Sequence, residues 1–209
     1  MFSFLNAPLE RRMFALIWPR TEELRAAIPE GHSARAHPVV LQATIAIPNL
    51  AVAATLLFRG LPREKAHATT AKIEEFIFEL IATDQGSYTV SEVLKLASEQ
   101  RAWQMEAFGL AANPSTQSNL DTIIRVVYSS RFLKYQDECQ KGFLMATKNQ
   151  ILVGDYGPLG FVAKRFLSDI TGHPILRVDD LSEECFDNLG LMSCYFNNMF
   201  RTLAEEMKR

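Results

Sequence analysis

The amino-acid sequence predicts an all-α fold, a compact bundle of seven to nine helices around a central apolar helix. The main observation is a run of 23 residues without Asp, Glu, Lys or Arg, which begins at Ala36 and ends at Phe58. The segments on either side of this run place apolar residues at spacings of three and four, as amphipathic helices do. Because a helix that is apolar on all sides must be buried, we expect these segments to cover residues 36–58.

Residues 36–58 are also long enough for a membrane span of about 20 residues. Polar residues interrupt the run at Gln42, Thr44 and Asn49, and basic residues flank it on both sides without an excess that would set an orientation. We therefore interpret the run as a core helix, and attachment to a membrane is the disfavoured alternative. Since Pro48 cannot donate a backbone hydrogen bond, we expect a kink or a break there.

Two short helices are predicted ahead of the central run. Pro19 is expected to end the first, which starts at Pro8, and Thr21 is expected to cap a second that ends near Ile28. The chain as a whole, residues 1–209, is interpreted as a single all-α domain. Residues 1–35 are a candidate peripheral N-terminal arm made of these short helices.

Turn residues divide the rest of the chain. Gly60 is expected to end the central helix in a left-handed conformation, and Pro62 to begin the next helix. Further helices are predicted over residues 62–83, 89–108, 120–149, 158–171 and 181–207, and the pattern over 120–149 fits one helix or two. The last helix carries a seam with spacings of four and three, which is typical of packing against another helix in the same chain or in a second copy. The seam consists of Cys185, Leu189, Met192, Phe196, Met199 and Leu203.

Composition disfavours nucleic acid as a partner. The chain has 24 acidic and 22 basic residues, a formal charge of -2, and therefore no overall field that would attract a polyanion. A local group of basic and aromatic residues is interpreted as a solvated face with aromatic packing: Arg125, Tyr128, Arg131, Lys134 and Tyr135.

The three cysteines, Cys139, Cys185 and Cys194, are odd in number and have no CxxC spacing. This pattern is typical of buried thiols in a reducing compartment, which predicts a cytoplasmic location.

No complete catalytic or metal motif is present. Glu64 and His67 have the ExxH spacing that ferritin-like bundles use in pairs, but the sequence contains no second copy. The four histidines are scattered and do not indicate a nucleophile held by a base. The sequence therefore predicts no cofactor, no metal site and no catalytic residues, and it favours a protein without enzymatic activity.

The default prediction is a cytosolic helical protein-interaction module, such as an adaptor, chaperone, inhibitor or structural subunit, that binds a protein partner or forms a homo-oligomer. The candidate partner-binding residues are the surplus apolar side chains Phe78, Trp103, Met192, Phe196, Met199 and Leu203. The alternative is a bundle that binds an apolar small molecule or lipid in a cavity beside the Pro48 kink. That cavity would be lined by Ile45, Ile47, Leu50, Phe196 and Met199.

Overall fold

The computed structural model describes residues 7–27, 38–85, 120–147, 157–171 and 183–209. These residues form six helices: α1 (Leu9–Ala27), α2 (Pro38–Gly60), α3 (Arg63–Gln85), α4 (Leu120–Thr147), α5 (Gly160–Thr171) and α6 (Glu183–Met207). Within the described ranges every regular element is a helix, and the helices pack into one compact bundle, which confirms the all-α prediction. A total of seven to nine helices stays a prediction, because the helix expected over residues 89–108 lies outside the described part of the chain.

Helix α2 lies at the centre of the bundle. Each residue from 45 to 57 is buried, and α2 contacts each of the other five described helices. The central apolar helix predicted from residues 36–58 is therefore present. No helix in the described part of the chain has the length and apolar composition needed to cross a membrane.

Pro48 does not break α2. The helix is continuous from Pro38 to Gly60 with Pro48 inside it, so of the two expected alternatives the break is excluded and the kink stays a prediction. A proline inside a helix costs about 3 kcal/mol, because it removes a hydrogen bond and crowds the preceding turn. Ile47 and Leu50, on either side of Pro48, are fully buried, and burying a side chain of that size contributes about 1.5–3 kcal/mol. Packing around α2 thus offsets the local cost.

Helix α1 is one helix and not the two short helices predicted from Pro19 and Thr21. Its buried residues are Met13, Ile17, Thr21 and Leu24, which continue one face across Pro19. Pro19 itself is exposed. The apolar face gains contacts with the core on both sides of the proline, and this gain outweighs the lost hydrogen bond. The division of the chain into domains stays a prediction.

The connection between α2 and α3 is short and regular. The backbone N–H of Leu61 donates to the Leu57 carbonyl at 2.8 Å, and that of Ala66 donates to the Pro62 carbonyl at 2.9 Å. Gly60 is the last residue of α2 and is not left-handed, so that expectation is wrong. The Leu61 hydrogen bond completes the last turn of α2, and Pro62, which has no N–H, is suited to start the next helix.

Helices α4, α5 and α6 complete the described bundle. Residues Leu120–Thr147 form one helix, which resolves the choice between one helix and two. Helix α6 runs antiparallel to α1, because Arg12 pairs with Glu206 and the Tyr195 hydroxyl contacts the Arg20 carbonyl. Helix α4 packs on α2 and α5, and α6 packs on α1, α2 and α5.

Candidate functional site

The described part of the predicted α6 seam, from Leu189 to Leu203, faces the interior of its own chain. Phe196, Met199 and Leu203 are buried in the hydrophobic core, and Met192 is half-buried against it. The Phe196 ring packs edge-on against Phe166 of α5, with centroids 5.9 Å apart. The contacts that the structure shows for this seam are therefore intramolecular.

The other two candidate partner-binding residues are not placed. Trp103 lies outside the described residues, and the structure does not describe the side chain of Phe78. Binding of a partner by this set of six residues stays a prediction.

A buried polar network occupies the position beside Pro48. The Asn49 amide nitrogen donates to the Thr21 hydroxyl at 3.0 Å and to the Tyr195 hydroxyl at 3.0 Å. Tyr195 in turn donates to the Arg20 carbonyl at 2.9 Å, and Thr21 donates to the Ile17 carbonyl at 3.1 Å. One amide thus joins α1, α2 and α6.

This network is a structural clamp. Burial raises the pKa of the Tyr195 phenol, so its hydroxyl stays neutral and keeps its proton for the Arg20 carbonyl. The polar groups of the network hydrogen-bond to one another, as buried polar groups in folded proteins do. The predicted cavity residues Ile45, Ile47 and Leu50 are fully buried in the same core as Phe196 and Met199. A ligand in this region stays a prediction.

A second buried network joins α4 to α5 and corrects the interpretation of Arg131. Arg131 is 2% exposed, and its guanidinium lies 3.3 Å from an Asp169 carboxylate oxygen. The Tyr135 hydroxyl donates to the same oxygen at 2.8 Å, and Arg165 lies 3.4 Å from the other one. Arg131 is therefore not on a solvated face, because α5 supplies the carboxylate that makes its burial possible.

The chemistry of this cluster favours structure over reactivity. Desolvation, followed by the adjacent charge of Asp169, raises the pKa of the Tyr135 phenol well above its usual value. Tyr135 therefore remains a neutral hydrogen-bond donor to a carboxylate that also faces two arginines. Removing one partner of such a buried pair commonly costs about 3–5 kcal/mol.

The cysteines divide into two environments. Cys139 is fully buried, and burial raises the pKa of its thiol to about 12. It is therefore a poor nucleophile at neutral pH, as the prediction of buried, inert thiols requires. Cys194 is exposed, so that prediction is wrong for this residue, which lies outside the buried seam of α6. The side chain of Cys185 is not described.

The ExxH pair is not joined by further metal ligands in the described part of the chain. Glu64 and His67 are both exposed on α3, and the His67 ring packs edge-on against Phe58 with centroids 4.6 Å apart. Among the described residues, no group of three or more His, Cys, Asp or Glu side chains is placed to hold a metal ion.

The outward face of α4 carries two exposed leucines. Leu133 is 58% exposed and Leu144 is 57% exposed. They are eleven residues apart, which places them about 20° from each other around the helix. Asp137 and Gln140 lie between them and are also exposed. We call these four residues, Leu133, Asp137, Gln140 and Leu144, the outer stripe.

The opposite face of α4 belongs to the core. Arg131, Tyr135, Cys139 and Gly142 are buried there, so α4 presents apolar residues both inward and outward. Sequence reasoning did not single out Leu133 or Leu144 and missed the outer stripe. The available signal was the eleven-residue spacing of two leucines that lie out of phase with Tyr135 and Cys139.

Comparison of the chain with models of protein families, with curated proteins and with solved structures finds no match. The function must therefore be argued from the surface and the buried networks of this structure.

Proposed function

We propose that this protein is a helical interaction module whose docking surface is the outer stripe of α4. The observation that supports the proposal is the exposure of Leu133 and Leu144 on one face of a helix whose other face is buried. Helices that pair with other helices place apolar anchors on one stripe at spacings of three and four. The stripe positions 133, 137, 140 and 144 have this spacing, with leucine at the two outer positions and a polar residue at each of the two inner ones.

The occupant that the stripe fits best is a second copy of the chain. In an antiparallel pair related by a two-fold axis, Leu133 faces Leu144 of the second copy, and Asp137 faces Gln140 of the second copy. The leucines then bury each other, and the Gln140 amide can donate to the Asp137 carboxylate. This self-complementarity is what a two-fold interface requires, because the same patch is used on both subunits.

The charge of Lys141 is held away from the stripe. Lys141 lies beside the stripe, but its ammonium is 4.5 Å from the centre of the Phe161 ring of α5 and 3.8 Å from Glu138. It is thus drawn towards α5 and away from Leu144. A polar pair at the centre of an apolar stripe also fixes the register of two helices, which is the role proposed for Asp137 and Gln140.

In this proposal the protein is located in the cytoplasm and acts by binding another protein chain. Cys139 and Cys194 are free thiols, which suits a reducing compartment. Phe196, Met199 and Leu203 of α6 are buried in the core of their own chain, which favours α4 as the docking surface in this proposal. A dimer with this geometry would act as an adaptor or structural subunit.

Sedimentation equilibrium tests the proposal. The native chain is expected to form a dimer in a reversible, concentration-dependent way, and Leu133→Glu/Leu144→Glu is expected to be monomeric. Burying two carboxylates in an apolar contact costs several kcal/mol, so the dissociation constant should rise by at least about 100-fold.

Leu191→Glu is the matched control. Leu191 lies on α6 and is 63% exposed, so this variant changes an equally exposed leucine away from the stripe and should dimerise like the native chain. The proposal would be overturned if the native chain stayed monomeric at all concentrations. It would also be overturned if Leu191→Glu weakened the dimer as much as Leu133→Glu/Leu144→Glu does. Circular dichroism verifies that each variant is folded.

A further inference from the structure

One end of the bundle brings together the last turns of α2 and α6 and the first turn of α3. A Cβ placed on Gly60 would lie 2.6 Å from the terminal methyl group of Met207, which shows that the ends of α2 and α6 touch. Arg59 lies over the Phe143 ring of α4 at 4.7 Å, and α3 begins at Arg63, directly after the turn. We call the exposed cations at this place, Arg59, Arg63, Lys65, Lys208 and Arg209, the basic end.

At this end of the bundle the basic side chains are exposed, whereas one of the acidic side chains is buried. The five cations of the basic end are exposed. Glu206, by contrast, is 5% exposed and lies 3.3 Å from Arg12 and 3.2 Å from Arg209. Glu64 and Glu205 are the exposed carboxylates among the residues that form this end. The surface is therefore positive, although the chain as a whole has a formal charge of -2.

The stability of the helices explains only some of these cations. Arg59, Lys208 and Arg209 are at the C-terminal ends of helices, where the helix dipole favours positive charge. Arg63 and Lys65 lie in the first turn of α3, where the dipole disfavours positive charge and favours Glu64. Their placement costs α3 a few tenths of a kcal/mol to about 1 kcal/mol, and a partner of opposite charge would offset that cost.

We propose that the basic end binds an acidic segment of another protein. A guanidinium group such as that of Arg63 matches a carboxylate with paired hydrogen bonds. Glu64 and Glu205 stand among the cations, so a flat anionic membrane would meet repulsion that a narrow peptide can avoid. Complementary charge of this kind also raises the rate of association. This inference goes beyond the proposed dimer, because the basic end lies on different elements from the outer stripe.

The test is a binding titration of the native chain with fluorescein-labelled decaglutamate, followed by fluorescence anisotropy. Decaglutamine is the uncharged comparison, and vesicles of phosphatidylcholine and phosphatidylserine are the membrane comparison. We expect saturable binding of decaglutamate that weakens with salt, since exposed charges are screened over about 10 Å at 0.1 M ionic strength.

Charge reversal at the basic end should weaken this binding. Arg63→Glu/Lys208→Glu is expected to raise the dissociation constant about 10-fold or more. The control, Arg20→Glu/Lys134→Glu, makes the same change in net charge on exposed residues away from the basic end. It is expected to bind within about two-fold of the native chain, because distant exposed charges are screened.

Three results would overturn the proposal. The first is that the control variant loses as much affinity for decaglutamate as Arg63→Glu/Lys208→Glu does. The second is that the native chain binds the anionic vesicles more tightly than decaglutamate. The third is that the native chain binds decaglutamine as tightly as decaglutamate. Sedimentation of the same variants separates this test from that of the outer stripe, because Arg63→Glu/Lys208→Glu leaves Leu133 and Leu144 in place.

Discussion

At the scale of single residues, the bundle buries several groups that lose a proton in alkaline solution. Burial raises the pKa of Tyr135, Cys139 and Tyr195 above their usual values. The two tyrosines also hydrogen-bond to other helices: Tyr135 to Asp169, and Tyr195 to Asn49 and the Arg20 carbonyl. The folded chain thus holds these three protons to higher pH than the unfolded chain does.

Alkaline pH is therefore expected to destabilise the fold. In the unfolded chain, Cys and Tyr lose their protons near about pH 8.5 and pH 10. Above these values the unfolded state binds fewer protons than the folded state, so the free energy of unfolding falls as the pH rises. The slope is about 1.4 kcal/mol per pH unit for each group between its unfolded and folded pKa. Urea unfolding at a series of pH values measures it.

Tyr135→Phe isolates one of the three groups. This variant loses the hydrogen bond to Asp169 and should be less stable at neutral pH. Because it has one titrating phenol fewer, its stability should fall less steeply above about pH 10 than that of the native chain. If both chains showed the same slope, the Tyr135 phenol would not be buried in the way described.

For Asn49, the sequence predicts that the residue is exceptional but does not predict its hydrogen-bond partners. An asparagine inside a run without charges needs hydrogen-bond partners if the run is buried, so the sequence marks Pro48 and Asn49 as special. Its partners, Thr21 and Tyr195, lie 28 and 146 residues away in the chain. No spacing rule connects such positions, because the pairing depends on how α1 and α6 pack on α2. The sequence therefore indicates an exceptional position, and the structure shows a clamp there.

At the scale of elements, Gly142 sets how closely α4 approaches the start of α5. A Cβ at this position would overlap the carbonyl oxygen of Pro158, and a backbone atom cannot rotate away. We expect Gly142→Ala to lower the free energy of unfolding by about 3 kcal/mol or more, as severe overpacking does. Helix propensity alone would predict a gain of about 1 kcal/mol. Urea unfolding at neutral pH distinguishes the two outcomes.

Gly60→Ala is the matched comparison. Its new Cβ would meet the terminal methyl group of Met207, which is the end of a flexible side chain and can move. This variant should stay within about 1 kcal/mol of the native chain. A Gly142→Ala chain as stable as Gly60→Ala would show that α4 and the residues before α5 are not in close contact.

Helix positions were largely predictable from apolar periodicity. The segments predicted over residues 62–83 and 181–207 correspond to α3 (Arg63–Gln85) and α6 (Glu183–Met207). The helix end expected at Pro19 and the break considered at Pro48 are both absent, because the cost of a proline is local and visible in the sequence, whereas the burial that offsets it depends on the whole bundle. Helix boundaries at prolines are therefore decided by packing.

At the scale of the whole molecule, the surface was the least predictable part. A leucine on the inward face and a leucine on the outer stripe look the same until the packing of α4 is known. The same holds for charge, since Glu206 is buried while Lys208 and Arg209 are exposed. The sequence shows how many apolar and charged side chains the protein has, and the packing of the helices determines which of them face solvent.

Disulfide cross-linking tests the antiparallel docking of two outer stripes most directly. Two chains are prepared, Asp137→Cys and Gln140→Cys, each with Cys185→Ser and Cys194→Ser, so that the buried Cys139 is the one native thiol that remains. Position 137 faces position 140 of the second copy in the proposed dimer, so an oxidised mixture of the two chains should form linked dimers. Facing helix positions can meet the Cα separation of about 4.4–6.8 Å that a disulfide needs.

The mixture is predicted to cross-link faster than either chain alone. Adding Leu133→Glu/Leu144→Glu to both chains should reduce the rate to that of random collision. Equal rates for the mixture and for each single chain would contradict the antiparallel register. A rate in the mixture no greater than that of the Leu133→Glu/Leu144→Glu chains would contradict docking through the outer stripe altogether.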